Sequence, residues 1–234
     1  MTLPRLRQIV LITADLEPAV AEARSTFALP KGVRDADGMA EIGFEHEVLT
    51  FDQTFLEIVA PLDADGPQGQ MVQAQGEHGF MTVLQVDDLA AVVDRAGELG
   101  FAPVLHQEFH GNPISQWHPK HLGTLAEFDE MDRPDNWHFA PESFEVGSTE
   151  VAQDIVAAQI ATDDPEAMAA RWATVLGVSA DGAQVPLASG TVQFIPTGEG
   201  RRGLRSADLV ATDPQRVGES VTLCGVEFRF VAGA

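Results

Sequence analysis

The sequence predicts an α+β protein built from repeats of one strand, one helix and three further strands, a βαβββ unit. First, an apolar strand, an Asp-capped amphipathic helix and several short strands recur in the same order along the 234 residues. Second, equivalent positions keep nearly the same separation. Asp15 and Asp88 are 73 residues apart, and Glu57 and Glu127 are 70 residues apart. Two distant positions that agree this closely indicate an internal repeat.

The first repeat begins with the apolar run 8–13. Asp15 and Pro18 then mark the start of a helix, because Asp is a good cap and Pro fits the first turn. Val20, Ala23 and Phe27 follow at helical spacing and form its apolar face. The remaining segments are expected in chain order as a turn-rich stretch at 30–38, two strands within 40–51, a strand at 54–59 and a loop at 61–69.

The second repeat shows the same order. A strand is expected at 80–86, and Asp88 caps a helix that Gly100 ends. The apolar face of this helix is formed by residues at spacings of three and four, namely Leu89, Val92, Val93, Ala96 and Leu99. Three strand-like pieces follow at 104–109, 114–117 and 124–128.

A third repeat and a shortened fourth repeat follow. The third starts with the apolar stretch 157–162, and Pro165 opens a helix that Gly177 closes. The fourth leaves room for little more than one helical turn at 214–217. We therefore divide the chain into a first domain of two repeats at 1–130, a connector at 131–150 and a second, degraded half at 151–234. Because the connector region is rich in aromatic residues rather than in Gly and Ser, we expect it to pack.

Composition restricts the functional classes. The chain has 36 Asp and Glu against 14 Lys and Arg, a formal net charge of -22. This charge repels phosphate backbones and anionic lipids, so we expect neither a nucleic-acid partner nor a membrane partner. No segment reaches the length of a signal sequence or a membrane span, which predicts a cytoplasmic protein. The single cysteine, Cys224, excludes an internal disulfide and is expected to be a small buried side chain.

Three segments carry a resemblance to a known family. Residues 11–16 and 84–89 resemble the unit starts of the glyoxalase-like, or vicinal oxygen chelate (VOC), superfamily. Residues 118–127 resemble the last strand of methylmalonyl-CoA epimerase-type members, and the first half also resembles glyoxalase/bleomycin-resistance/dioxygenase domains. The resemblance implies two halves of mixed β-sheet, each curled into a cup with flanking helices, and a small-molecule pocket in the cup.

The resemblance also implies positions for metal ligands. In metal-dependent members, a divalent ion is held by the first and last strand of each unit. Carried over by position, these slots fall on Gln8, Glu57, Met81 and Glu127. Gln8, Glu57 and Glu127 would be the ligands of Zn, Mn, Fe, Ni or Mg. Members that bind metal usually have His at the first-strand slots, whereas this chain has Gln8 and the soft thioether of Met81. The implied cofactor is therefore one divalent metal or none.

The sequence allows two orientations for the side chains of Glu57 and Glu127. Each is flanked by apolar residues within a strand, and strand side chains alternate between faces. Either glutamate could therefore point outward into water, and periodicity alone favours this. The repeat and the resemblance favour the alternative, in which Glu57 and Glu127 face the pocket as catalytic carboxylates.

Substrate contacts are expected from five side chains. His118, Lys120 and His121 precede the strand that the family uses for its pocket, and Met81 and Trp117 complete the set. A cation such as Lys120 can bind a carboxylate or a phosphate, although a solvated lysine in a turn explains it equally simply. Most of the other histidines are expected to pack the structure.

Three functions stay open at this stage. The leading one is a VOC-type enzyme in the isomerase or lyase style, or dioxygenase-like, in which a metal polarises a substrate carbonyl while Glu127 or Glu57 moves a proton. The second is a metal-free protein that sequesters a small molecule, as bleomycin-resistance-like members do. The third is a structural or regulatory partner whose cup is filled by side chains. The expected partner is a small-molecule substrate, and both a homodimer and a monomer stay open.

Overall fold

The computed structural model describes residues 3–233. They form the predicted α+β fold, with four consecutive repeats that each start with a strand and continue through a helix or helical turn into antiparallel strands. In every repeat the first strand pairs in parallel with the last. The last strand pairs antiparallel with the strand before it. The repeated βαβββ-like unit is thus confirmed.

The first repeat has one full strand fewer after its helix than the second. A single antiparallel bridge between Val33 and Val48 stands in for it. The elements of the first repeat are β1 (Arg5–Ile12), α1 (Leu16–Phe27), α2 (Ala36–Glu41), β2 (Phe44–Thr50), β3 (Phe55–Pro61) and α3 (Pro67–Gln75).

The second repeat has all three strands after its helix. Its elements are β4 (His78–Val86), α4 (Leu89–Glu98), β5 (Leu105–Phe109), β6 (Asn112–Trp117), α5 (Pro119–Leu122) and β7 (Leu125–Glu130). A short helix, α6 (Glu142–Glu145), lies between the second repeat and the third.

The third and fourth repeats are shorter than the second. Their elements are β8 (Ala152–Thr162), α7 (Pro165–Leu176), β9 (Gln184–Pro186), β10 (Thr191–Pro196), β11 (Gly203–Ala211), a 3₁₀ turn (Pro214–Arg216), β12 (Ser220–Leu223) and β13 (Val226–Val231). None of the helices within residues 3–233 is long and apolar enough to cross a membrane.

The chain forms two compact units, each made of segments that are distant in sequence. Unit 1 contains the described residues up to Arg7 together with 81–138 and 156–205. Unit 2 contains 8–80, 139–155 and the described residues from Ser206 onward. Unit 1 therefore combines most of the second and third repeats, and unit 2 combines most of the first and fourth. The division into sequential halves at 1–130 and 151–234 stays a prediction.

Aromatic contacts join the two repeats inside each unit. In unit 2, the Phe27 ring of the first repeat meets the Phe228 ring of the fourth edge-on, with centroids 5.3 Å apart. In unit 1, Trp172 of the third repeat contacts Phe128 of the second, with centroids 5.6 Å apart, and also Phe194. These rings are fully or almost fully buried. Burial of aromatic surface between repeats explains why a single repeat is not the compact unit.

The three predicted helix starts agree with the structure, and two of these helices have an aspartate whose side chain caps the first turn. The carboxylates of Asp88 and Asp164 accept hydrogen bonds from the backbone N–H groups of Ala91 and Ala167. Asp15 occupies the N-cap of α1 but makes no capping hydrogen bond with its side chain. The predicted cap residues Asp15 and Asp88 are therefore both at the N-cap, and Asp88 makes the expected hydrogen bond. For the third helix the sequence identified Pro165 as the first residue, and the structure adds Asp164 as the cap.

Two predictions for the first repeat were wrong. Only one strand, β2, lies within 40–51, because α2 occupies the first part of this stretch and the Asp35 carboxylate caps it by accepting from the Gly38 N–H. The predicted loop 61–69 ends early, because Pro67 starts α3 at a position where proline suits a helix.

The residues before β7 also differ from the expectation. Residues 118–124 do not extend a strand, because α5 forms over Pro119–Leu122. His118 caps this helix: its Nδ1 accepts a hydrogen bond of 3.0 Å from the Lys120 N–H. Pro119 provides the first turn, and Gly123 ends the helix with φ +79°.

The first part of the connector belongs to unit 1 and the second part to unit 2, and each part forms hydrogen bonds inside its own unit. In unit 1, the Arg5 guanidinium donates to the Pro134 carbonyl, and the Arg7 guanidinium donates to the Asn136 carbonyl. In unit 2, the Thr50 hydroxyl donates to the Ser143 carbonyl at 2.6 Å. The connector is therefore held by specific hydrogen bonds at both of its ends.

Candidate functional site

Three polar side chains meet on one face of the sheet in unit 2. Glu57 on β3 lies opposite Val10 of β1 and Val48 of β2. Gln8 and His46 are two residues away from those partners, and side chains two apart in a strand share a face. The register of these strands therefore places Gln8, Glu57 and His46 together.

Both oxygens of the Glu57 carboxylate accept hydrogen bonds. Gln8 Nε2 donates to Glu57 Oε2 over 2.7 Å, and His46 Nδ1 lies 2.5 Å from Glu57 Oε1. All three residues are buried, although the Glu57 side chain keeps 11% of its surface exposed. The Glu57 carboxylate is therefore oriented by two hydrogen bonds and keeps a small part of its surface exposed.

The protonation pattern of His46 follows from a third hydrogen bond. The backbone N–H of Asp35 donates to His46 Nε2 over 2.8 Å, so Nε2 carries no proton. The ring proton therefore lies on Nδ1 and is donated to Glu57. Phe139 packs edge-on against the ring, with centroids 5.8 Å apart. Backbone and packing together hold His46 in one tautomer and one orientation.

His46 is the site residue that sequence reasoning missed. It is one of seven histidines and lies in no recognisable motif. The available signal was the β2–β3 hairpin, because a turn at 51–54 pairs Thr50 with Phe55. That register brings Val48 opposite Glu57 and puts His46 on the same face. The signal was hidden because two strands, rather than a helix and one strand, were expected at 40–51.

The structure gives the two glutamates different surroundings. Glu57 is buried on the polar face described above. Glu127 in unit 1 is half-buried and lies opposite Gln116 of β6, whose Nε2 donates to Glu127 Oε2 over 2.6 Å. Met81 is buried on β4 of the same unit. Of the four slot residues, the structure brings Gln8 and Glu57 into direct contact.

The residues present do not fit a divalent metal in the expected slots. A metal needs several ligand atoms free to turn towards it, but both Glu57 oxygens are engaged by Gln8 and His46. His46 uses both of its ring nitrogens, and Met81 offers a soft thioether. Within residues 3–233, no group of three or more His, Cys, Asp or Glu side chains is arranged to hold a metal ion. We therefore derive no step through a metal.

The predicted substrate contacts lie in unit 1 in different environments. Trp117 is a core side chain with no exposed surface, and its Nε1 donates to the Ser115 hydroxyl over 2.8 Å. His118 and Lys120 are exposed. The His121 ring is half-buried and stacks on Phe101, with centroids 4.6 Å apart and planes 7° apart.

Cys224 has the expected environment. It is buried on a tight turn, and burial raises the pKa of its thiol to about 12, assisted by the nearby carboxylates of Glu77 and Glu22. At neutral pH the sulfur is therefore an uncharged thiol, which is a poor nucleophile. This side chain takes no part in the candidate site.

Comparison with known proteins places this architecture in a family. The sequence model of the glyoxalase-like domain matches residues 9–176. Methylmalonyl-CoA epimerase of Streptomyces coelicolor, solved with 2-nitronate-propionyl-CoA, is 20% identical with a TM-score of 0.50, covering 56% of this chain and 100% of its own. A hypothetical protein from Staphylococcus aureus is 11% identical with a TM-score of 0.65, covering 97% of this chain and 98% of its own.

These likenesses differ in what they cover. The epimerase corresponds to about half of this chain, whereas the Staphylococcus aureus protein follows the fold over nearly all of it. At these identities the structural likeness establishes the fold alone. No protein of curated function matches the sequence. The family model covers well over half of the chain, and this protein therefore belongs to the glyoxalase-like domain family of the VOC superfamily.

Proposed function

We propose that this protein is an enzyme that moves a proton on a small carbonyl compound, in the isomerase or lyase style, with Glu57 as the proton-transferring carboxylate. The observation that carries the proposal is the Gln8–Glu57–His46 arrangement. It supplies a buried carboxylate that is held by two hydrogen bonds and keeps a small exposed surface. Isomerisation is the first reaction to test, because the epimerase neighbour is named for that activity.

The proposed step needs a base that is already oriented when the substrate arrives. Glu57 would accept the proton from the carbon next to the substrate carbonyl, and the electron pair of that C–H bond would pass into the enolate. In an isomerase, the same carboxylic acid returns the proton to carbon. In a lyase, the enolate instead expels a leaving group from the neighbouring carbon. Positioned proton transfer of this kind contributes about 10²–10⁴-fold to a rate.

His46 and Gln8 have distinct parts in this proposal. Both residues orient the Glu57 carboxylate, and neither gains nor loses a proton during the reaction. Both donors restrict the carboxylate to one rotamer, and His46 keeps its donor proton on Nδ1 because the Asp35 N–H occupies Nε2. An oriented carboxylate avoids part of the reorganisation that a flexible one needs during reaction. Glu127 stays a second candidate for the base, and Met81, His118, Lys120 and His121 stay candidate substrate contacts.

The test is proton exchange in deuterated water. The protein is incubated with a panel of carbonyl compounds that carry an acidic C–H, including acyl thioesters, and deuterium incorporation at carbon is followed by proton NMR. We expect exchange with at least one compound and a loss of about 10²-fold or more in Glu57→Gln. Glu57→Asp should keep part of the activity. Glu227→Gln on β13, an exposed carboxylate in the same unit, is the matched control and should leave the rate unchanged.

Each other outcome is informative. Exchange that survives Glu57→Gln but disappears in Glu127→Gln moves the base to Glu127. Exchange that survives both substitutions refutes the proposed role of these carboxylates. Absence of exchange over the whole panel removes the support for a proton-transfer enzyme of this kind.

A metal-free binding protein is the second candidate. The observation that favours it is the completeness of the Glu57 network, since a carboxylate held by two donors can also serve as a fixed partner for a cationic ligand. Thermal-shift screening with apolar cations would then show stabilisation that Glu57→Gln removes. Ligand stabilisation without any proton exchange would favour binding over catalysis.

A further inference from the structure

Basic side chains concentrate on one surface of unit 1. The chain as a whole is acidic, with a net charge of -22. His118, Lys120 and His121 nevertheless come together on α5 and its cap, and Arg171 joins them from α7. We call these four residues the α5 basic cluster. Sequence reasoning identified the first three, whereas only the fold adds Arg171.

Hydrogen bonds and stacking define the geometry of the α5 basic cluster. Arg171 Nη1 donates to the His121 carbonyl over 2.9 Å. The rings of His118 and His121 lie 6.5 Å apart, and His121 is stacked on Phe101. Lys120, His118 and Arg171 are exposed, and His121 is half-buried. Arg171 is therefore tied to the backbone of α5 and the His121 ring to Phe101, while His118, Lys120 and Arg171 remain exposed to solvent.

The tautomer of His118 adds a donor to this surface. Its Nδ1 accepts from the Lys120 N–H, so the ring proton of neutral His118 lies on Nε2. The cluster thus carries an imidazole N–H, an ammonium group and a guanidinium group on one short helix and the neighbouring α7. Donors of this kind are suited to an oxyanion with several acceptor oxygens.

Several neighbouring groups disfavour protonation of His121. Burial lowers the pKa of His121, and electrostatic interactions with Lys120, His118 and Arg171 lower it further. Lys120 and His118 act on the ring from α5 and its cap, and Arg171 acts from α7. A bound anion would raise the pKa of His121, because its negative charge stabilises the protonated ring. Anion binding and protonation of His121 should therefore strengthen each other.

We propose that the α5 basic cluster is a binding site for a dianionic oxyanion, of the class of a small-molecule phosphate group. Long polyanions are disfavoured, because the net charge of the molecule repels an extended phosphate backbone. This inference is independent of the proposed role of Glu57, which lies in the other unit.

Sulfate is the first probe, because its charge stays at minus two between pH 5.5 and 7.5. The imidazole signals of the full-length protein are followed by NMR during sulfate titration, with ionic strength held constant by sodium chloride. We expect saturable shifts of His118 and His121, and a Kd several-fold lower at pH 5.5 than at pH 7.5. Lys120→Ala and Arg171→Ala should each raise Kd by about fivefold or more, while Lys31→Ala, the other lysine, should leave it unchanged.

A charge-conserving variant and two further anions distinguish the possible explanations of the sulfate result. Arg171→Lys keeps the charge and should recover part of the affinity that Arg171→Ala loses, which distinguishes lost charge from lost structure. Inorganic phosphate and methyl phosphate are titrated in parallel. Tighter binding of methyl phosphate supports an ester-linked phosphate as the ligand, and equal binding supports a free oxyanion. Shifts that do not saturate, or that chloride reproduces, would overturn the proposal.

Discussion

The imidazole of His46 connects the backbone at Asp35 to the carboxylate of Glu57. One ring nitrogen accepts and the other donates, so the two hydrogen bonds depend on the same neutral tautomer. The neighbouring Glu47 belongs to a different hydrogen-bond network. Its side chain points to the opposite face of β2 and pairs with Arg34 over 2.7 Å. Adjacent polar residues in one strand thus serve separate networks, because side chains alternate.

Replacement of His46 by Phe is expected to destabilise the protein. The ring volume is kept, but the Asp35 N–H and one Glu57 oxygen lose their partners, which costs about 1–3 kcal/mol in free energy of unfolding. Urea denaturation measures this loss. His46→Asn should restore a donor near the Nδ1 position, and His46→Gln should restore an acceptor near the Nε2 position.

The control for His46 is an exposed histidine. His106→Phe on β5 removes an imidazole from the surface and should change the free energy of unfolding by less than about 0.5 kcal/mol. If His46→Phe behaves like His106→Phe, the hydrogen-bond network described for Glu57 contributes nothing measurable.

The β2–β3 hairpin is the element that assembles the candidate site. Its turn, 51–54, sets the register that brings His46 and Glu57 to one face. Asp154 on β8 holds this turn: its Oδ1 accepts from the Gln53 N–H and from the Thr54 hydroxyl, each over 2.8 Å. A carboxylate outside the hairpin therefore stabilises the geometry of the site.

Asp154→Asn is expected to change the pH dependence of stability. Burial raises the pKa of Asp154, against the lowering effect of its hydrogen bonds to Thr54 and Gln53. Folding therefore favours the protonated form, and the wild type loses stability as pH rises from the ordinary pKa of Asp through the raised one. Asparagine keeps the acceptor oxygen without a charge. The variant should gain stability relative to the wild type over this interval and keep the gain at neutral pH.

Urea denaturation from pH 4 to 7 measures this difference. Asp154→Ala is the companion variant, because it removes the acceptor as well as the charge and should be destabilised at every pH by about 1–3 kcal/mol. A stability difference between Asp154→Asn and wild type that is constant with pH would show that Asp154 does not titrate in this range.

The whole molecule consists of two units, in which the first repeat shares a core with the fourth and the second repeat shares a core with the third. Three of the four slot residues hydrogen-bond to protein side chains. Gln8 donates to Glu57, and Gln116 donates to Glu127. The carboxylates at these slots are therefore engaged by amide groups.

Metal removal and addition are therefore expected to leave the stability of the whole protein unchanged. A metal at 100 times its Kd would stabilise the fold by about 2.7 kcal/mol, which corresponds to a Tm shift of roughly 5–10 °C for a chain of this size. Differential scanning calorimetry is performed after dialysis against a chelator and after addition of Mn, Fe, Co, Ni or Zn. A rise of several degrees with one of these ions, lost in Glu57→Ala, would contradict this expectation.

Much of the fold could be predicted from local signals. The order of strands and helices, the cap at Asp88 and the helix start at Pro165 depend on residues that are close in sequence, so they were visible without a structure. The errors arose where a few residues decide between two conformations. Asp35 started α2 and Pro119 started α5, in each case at the expense of a predicted strand.

The sequence by itself determined the α+β class and the repeated unit, because periodicity and repeat spacing are properties of the chain. The resemblance of its motifs to a known family identified the family and the two glutamates to be tested. Only the tertiary structure decided which side chains meet. It joined the first repeat with the fourth and the second with the third, placed His46 against Glu57, and added Arg171 to the α5 basic cluster. These contacts depend on strand register and on burial between distant repeats, which a linear pattern does not contain.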